Sequence, residues 1–399
     1  MSKADVQAQY EAYPYPERDP KDERKRLVTG SPSLPVEMDH WLWGGARDWS
    51  QPLRALVAGG GTGDALIQLA QLLTDAGRPY EITYLDLSEA SRRIAEKRAK
   101  VRKLQGITFV TGSLLNAAAH GPFDYIDCCG VLHHLDDPQA GFDALSGALA
   151  PDGGMGLMVY APHGRSGVYP LQAAFGAALE GMKPRDRLKR AKAIYAKIPD
   201  AHPFKRNTRV VDHKSGDAGF YDLLLHSTDR AFSITELLEM LEGAGLNYAG
   251  TPEPILYDPS RLTGDLQLPD GVAAMQLAED FRGTFKTHVI YVRRKGQVIP
   301  PPHGKSEAIP HLRGMAPNAL AQHVARTGQI IIDTAGEAFE FTVPKQAAAA
   351  IAGIDGRRSL DDIRAGAGMA PIAFGDLWSR VETALCGLGM MHYSRLLVD

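Results

Sequence analysis

The stretch "LVAGGGTGD", residues 56–64, places a run of glycines between an apolar strand and an apolar helix, and it constrains the fold more than any other segment. Glycine weakens the interior of any regular element, so this cluster points to backbone brought against a ligand. Around it the pattern alternates. "RALVAG" (54–59) reads as a strand, "DALIQLAQLLTDAG" (64–77) as a helix and "YEITYLDLS" (80–88) as a strand closed by an acidic residue. "EASRRIAEKRAKVRKL" (89–104) continues as a charged helix, "ITFVTG" (107–112) and "FDYIDCCG" (123–130) as strands, "PQAGFDALSGALA" (138–150) as a helix and "GMGLMVYA" (154–161) as a strand. This alternation calls for a doubly wound α/β fold with a mostly parallel sheet covered on both faces.

After Ala161 the alternation stops. Residues 162–232 form an insertion, read as a helical cap, before the helix "SITELLEMLEGAGL" (233–246), in which Ser233 and Glu236 have the spacing of a capping box. "NYAGTPEPILY" (247–257) and "KTHVIYVRR" (286–294) read as the last two strands, separated by a second insertion of about 30 residues, too long for a hairpin turn. The expected division is an N-terminal arm or lid (1–50), a core (51–295), a proline-rich linker (296–309) and a small C-terminal α+β domain (310–399). In that last domain "QIIIDT" and "AFEFTV" read as strands, followed by three helical stretches.

An open parallel sheet binds ligands beyond the carboxyl ends of its strands, which puts the glycine loop in the site. The dinucleotide pattern G-x-G-x-x-G fails here, since Asp64 or Leu66 falls at its third glycine; G-x-G-x-G holds as Gly59, Gly61 and Gly63. Asp86, 27 residues after Gly59, closes the second strand where a carboxylate accepts hydrogen bonds from the two hydroxyls of a ribose.

With those residues in view, 54–161 resembles a class I S-adenosylmethionine-dependent methyltransferase, with "LVAGGGTGD", "YLDLS", "FVTGSLL" and "YIDCCGVLHHLDDP" as its four motifs. The "VYAPHGRSGVYPLQ" and "YDLLLHSTDRAFSITEL" segments, together with "YPYP" near the N-terminus, are similar to a bacterial subgroup of such enzymes. The resemblance implies a Rossmann-like, seven-stranded core. It also implies S-adenosyl-L-methionine held by Gly59, Gly60, Gly61 and Gly63, by Asp86 and Leu87, by Gly112, Ser113 and Leu114, and by Cys129. Two positions depart from the family pattern: Ala58 stands where an acidic residue is common at the end of the first strand, and Ser113 where an aspartate is.

Methyl transfer from a sulfonium is an in-line displacement, so a nucleophile has to be positioned and, if it carries a proton, relieved of it. His133 after the fourth strand, Tyr160 and His163 at the end of the fifth, and Tyr15 in the arm are the candidates for that work; His226 and Asp229 could line the pocket from the cap side. Adjacent Cys128 and Cys129 point to opposite faces of their strand and lack metal-site spacing, so no metal is expected.

Three cysteines make no disulfide framework, and with no apolar leader or membrane-length stretch the expectation is a cytoplasmic protein. A formal net charge of -3 argues against a nucleic-acid partner. The expected acceptor is a small molecule or peptide offering oxygen, nitrogen or sulfur, and a homodimer is left open. Two other readings stand beside it: a regulatory protein that binds the cofactor without turnover, and an enzyme whose C-terminal domain, winged-helix-like or peptide-binding, delivers a protein or tRNA.

Overall fold

The computed structural model of the chain describes residues 3–226, 228–297, 299, 302–334 and 336–397; parts of the expected linker (298, 300, 301) lie outside them. An arm comes first, with helices α1 (Lys3–Ala12) and α2 (Pro35–Trp43). The core follows as β1 (Leu53–Ala58), α3 (Asp64–Asp75), β2 (Tyr80–Asp86), α4 (Glu89–Val101), β3 (Ile107–Thr111), β4 (Phe123–Cys129), α5 (Pro138–Gly147) and β5 (Leu149–Tyr160). The first insertion carries α6 (Val168–Ala178), α7 (Pro184–Tyr195), α8 (Pro203–Arg206) and α9 (Asp217–Leu225). Then come α10 (Ile234–Gly243), β6 (Leu246–Gly250), α11 (Ser260–Thr263), α12 (Val272–Arg282) and β7 (Thr287–Arg294).

The sheet runs β3-β2-β1-β4-β5-β7-β6, parallel except for β7, which is antiparallel to both neighbours. Chain order reverses between β1 and β4, and a crevice opens at such a point beyond the carboxyl ends of the strands. β1 sits at the centre and is buried at Leu53 and from Ala55 to Ala58, as a parallel strand covered on both faces must be. One face packs an apolar cluster with α5 and α10, the other with α2, α3 and α4. The helices start where the sequence provides caps: Ser88 accepts from Ser91 N, Asp137 from Ala140 N, and Ser233 closes a capping box with Glu236.

The expected strand over 247–257 ends early, at Gly250. Pro252 and Pro254 cannot donate to a ladder, and 254–257 turns into a 3-10 helix. β5 begins at Leu149 rather than 154, through an irregular pairing with β4 between Phe123 and Tyr125. The insertion of about 30 residues is mostly helical.

The C-terminal unit contains β8 (Pro310–Leu312), α13 (Pro317–Thr327), β9 (Gln329–Thr334), β10 (Glu337–Thr342), α14 (Ala347–Ala352), α15 (Leu360–Gly366), α16 (Pro371–Gly387) and β11 (Met391–Tyr393). It has its own apolar cluster and two small antiparallel pairs, β9 with β10 and β8 with β11. Helix α2 fastens it to the sheet. The Asp39 carboxylate accepts from Ser394 Oγ at 2.6 Å, Arg395 N at 3.2 Å and Trp49 Nε1 at 3.0 Å, and His40 Nδ1 accepts from Tyr393 N at 3.0 Å. Glu37 joins Tyr291 of β7 (2.8 Å) to Arg313 (2.7 Å).

Candidate active site

The loop after β1 is tied to β2 by Gly59 N and Gly60 N donating to Leu85 O at 2.7 and 3.2 Å. Gly59, Gly61 and Gly63 hold φ of +67°, +51° and +98°, which L side chains rarely adopt. A Cβ at Gly59 would meet Val131, at Gly60 the Tyr84 ring, at Gly61 the carbonyl of Tyr15 and at Gly63 Ala95. The bareness of this loop is therefore used first by the chain itself, through close packing and through the arm.

Asp86 ends β2 beside that loop. One carboxylate oxygen accepts from Gly61 N and the other from Ser88 N, each at 2.8 Å; burial raises its pKa, and these two N–H groups pull it back. Leu87 follows with its carbonyl taken by Gln7 Nε2 at 3.3 Å. Gly112 N donates to Asp86 O at 2.8 Å, Ser113 caps the following 3-10 turn by accepting from Leu115 N, and the Leu114 side chain lies in the core rather than at the loop. Ala58 is buried in that core as well. Cys129 sits half-buried at the end of β4, with its thiol pushed up by burial, while Cys128 belongs to the apolar core.

The arm runs across these elements. Thr62 Oγ1 donates to Pro16 O at 2.6 Å, Ser88 Oγ to Tyr10 O at 3.2 Å and Glu89 N to Glu11 Oε1 at 2.5 Å. Arg18 forks onto Asp64 at the start of α3, where the buried Arg98 also holds Asp64 and reaches Glu23 of the arm.

Above the carboxyl ends of β4 and β5, arm, core and cap bring together a buried polar cluster. His133 stacks on Tyr160 with centroids 3.7 Å apart, and Arg165 covers the Tyr160 ring at 3.2 Å. His134 stacks on His226 at 3.8 Å. The Tyr10 hydroxyl donates to Asp222 at 3.0 Å and lies 3.3 Å from His226 Nε2. Burial, with neighbouring Asp229 and Asp212, pushes Asp222 up to about 7 against the pull of Tyr10 and Arg165. Burial drives His134 down to about 3 and holds His133 and His226 well below the usual histidine range. Tyr15 reaches Asp212 from the arm at 3.5 Å.

His134, Asp222 and His226 offer atoms within 4.8 Å of one another, a set with the composition of a metal site that sequence spacing did not reveal. The tautomers argue for another use. Thr228 N donates to His226 Nδ1 at 3.1 Å, so the proton of the neutral ring is on Nε2, which then donates to Tyr10 instead of binding a cation.

Of the four candidates for the chemistry, Tyr160, His133 and Tyr15 border this cluster, whereas His163 is turned out toward Asp280 of α12, 4.0 Å away and half-exposed. His226 and Asp229 do face the cluster from the cap side. Asp222 and Arg165 are residues that the sequence reading misses, while Tyr10 belongs to the tyrosine-proline arm segment that it reads as a hydrogen-bonding surface. The i, i+4 spacing of Asp222 and His226 was a readable signal, since it puts both at the same side of α9 and its end.

A parallel sheet of this order, a glycine loop after its first strand and an acid at the end of its second define the class I methyltransferase fold. Residues 56–155 match the family described as "Methyltransferase domain", and that segment of the chain is a methyltransferase domain. The chain is 32% identical over 276 residues to an uncharacterized protein of Synechococcus sp., covering 65% of this chain and 62% of that protein's length. It is 31% identical over 117 residues to the tRNA 5-carboxymethoxyuridine methyltransferase of Escherichia coli, covering 29% of this chain and 42% of that enzyme. Among solved structures, PKMT2 from Rickettsia typhi in complex with AdoHcy superposes with a TM-score of 0.64 at 16% identity, over 92% of this chain and 75% of that one. Among the described residues, no helix is long and apolar enough to cross a membrane.

Proposed function

We propose that the chain transfers a methyl group from S-adenosylmethionine to an acceptor enclosed between sheet, cap and arm. Asp86, at the carboxyl end of β2 beside the glycine loop, carries this reading. Each of its oxygens spends one lone pair on a backbone N–H, leaving another for a ribose hydroxyl, and the loop of Gly59, Gly61 and Gly63 runs beside it. Leu87, Gly112, Ser113 and Cys129 border the same crevice, while Leu114 supports it from the core. When bound, the cofactor supplies an electrophilic methyl on a sulfonium.

The chain's own residues then position the acceptor and take its proton. Asp222, near neutrality in its titration, is the base of this reading. Tyr10 donates to one of its oxygens, and His226, fixed by Thr228, orients Tyr10. Tyr160 stacks on the buried His133 to form an aromatic wall of the site. A covered site of this kind favours a small acceptor, or a single side chain of a peptide, over an open groove.

Calorimetric titration with S-adenosylmethionine, with NAD as the control, tests the reading. Saturable binding of the former that Asp86→Ala weakens by at least about tenfold supports it, given two lost charge-assisted hydrogen bonds. Binding of NAD instead, or binding unchanged by the substitution, overturns it.

A further inference from the structure

A polar atom buried without a partner destabilises the fold, and several gather around Tyr160. Arg165 is only 5% exposed, yet its Nε and Nη2 make no hydrogen bond. Asp229 Oδ1 is unbonded beside it, the Tyr169 hydroxyl faces the guanidinium without an aligned hydrogen bond, its proton loosened by Arg165 against the pull of burial, and both ring nitrogens of His133 are unbonded across the Tyr160 ring. The counter-charge for Arg165 is present, because Asp229 Oδ2 lies 3.3 Å from Nη2, but the two are not aligned into a hydrogen bond. Gln172 Nε2 donates to that same Oδ2 at 3.0 Å. Nε and Nη2 share one edge of the guanidinium, and their parallel N–H bonds match the two oxygens of a carboxylate.

Resting on the methyl-transfer reading, we propose that Arg165 is a substrate-binding residue that takes a carboxylate of the acceptor on its Nε/Nη2 edge. Tyr169 adds a third donor, and a hydroxyl or ammonium next to that carboxylate satisfies Asp229 Oδ1, so the acceptor class is a hydroxy or amino acid unit. A phosphate would use the same fork, but its second charge would sit against the fully buried Asp229 side chain, which favours the singly charged carboxylate.

The test follows the arginine Nε–H resonances of the full chain by NMR during titration with glycolate, acetate, inorganic phosphate and methylammonium, with and without S-adenosylhomocysteine. The expected result is a saturable shift of one buried arginine by glycolate, a weaker one by acetate and none by methylammonium. Arg165→Lys keeps the charge and loses the fork, and should weaken glycolate about tenfold with S-adenosylhomocysteine binding unchanged. Asp229→Asn removes the competing charge and should tighten acetate, whereas a pair that serves only to hold α6 to the cap end leaves acetate unchanged. No saturable response to glycolate in wild type or Asp229→Asn overturns the assignment, as does stronger binding of phosphate. Failure of S-adenosylhomocysteine alone to bind overturns the methyl-transfer reading instead.

Discussion

Asp222 shows how far its surroundings move a residue's titration. In the unfolded chain it titrates near 3.8, while in the fold burial carries it to about 7. Between those values the folded chain keeps a proton that the unfolded chain has released, so its contribution to stability is present at acid pH and lost as pH rises through 7. Asp222→Asn cannot titrate, and should gain on the wild type from about pH 4 to about pH 7 and no further above; urea midpoints across that range measure it. Asp86 and the glycine loop were legible because spacing along two neighbouring strands is a local signal. Arg165 was not, and the spacing of Asp222 and His226 signals only a shared side of α9; that the arm helix, the cap helix and the turn after β5 meet there is set by the tertiary fold. His163 stood next to the right strand, but the turn at 162–165 points it at α12.

Elements were read well where composition and capping agreed. The capping box at Ser233 is such a case: Glu236 N donates to Ser233 Oγ at 3.2 Å, and Ser233 N donates back to Glu236 at 3.0 Å. Ser233→Ala should cost about 1 kcal/mol, checked by chemical denaturation, with the cluster above β5 intact. The strand expected to reach 257 fails for a reason that local pattern hides. Gly250 lets the Trp41 ring lie where a side chain would be, with an added Cβ only 2.0 Å from it, and the prolines that follow end the ladder. The short β8 and β11 had no alternation to betray them, being three residues each.

At the scale of the molecule, the alternating pattern was enough for the central sheet, but nothing local announced that α2 of the arm would clasp the last strand. Asp39 is the centre of that clasp, so Asp39→Ala should destabilise the chain by about 3 kcal/mol and cost the Tyr393 N–H its protection in hydrogen exchange. An exchange pattern at β11 identical to wild type would show that the C-terminal unit holds itself in place. Tyr393 and His40 are separated by 353 residues, so the two ends of the chain complete each other. On a ribosome the arm emerges before the strands it covers and long before its partner strand β11. A growing chain can therefore seat Tyr10 to Glu23 as soon as residues 62–98 have folded, while α2 stays without its last partners until β7 and β11 have been made.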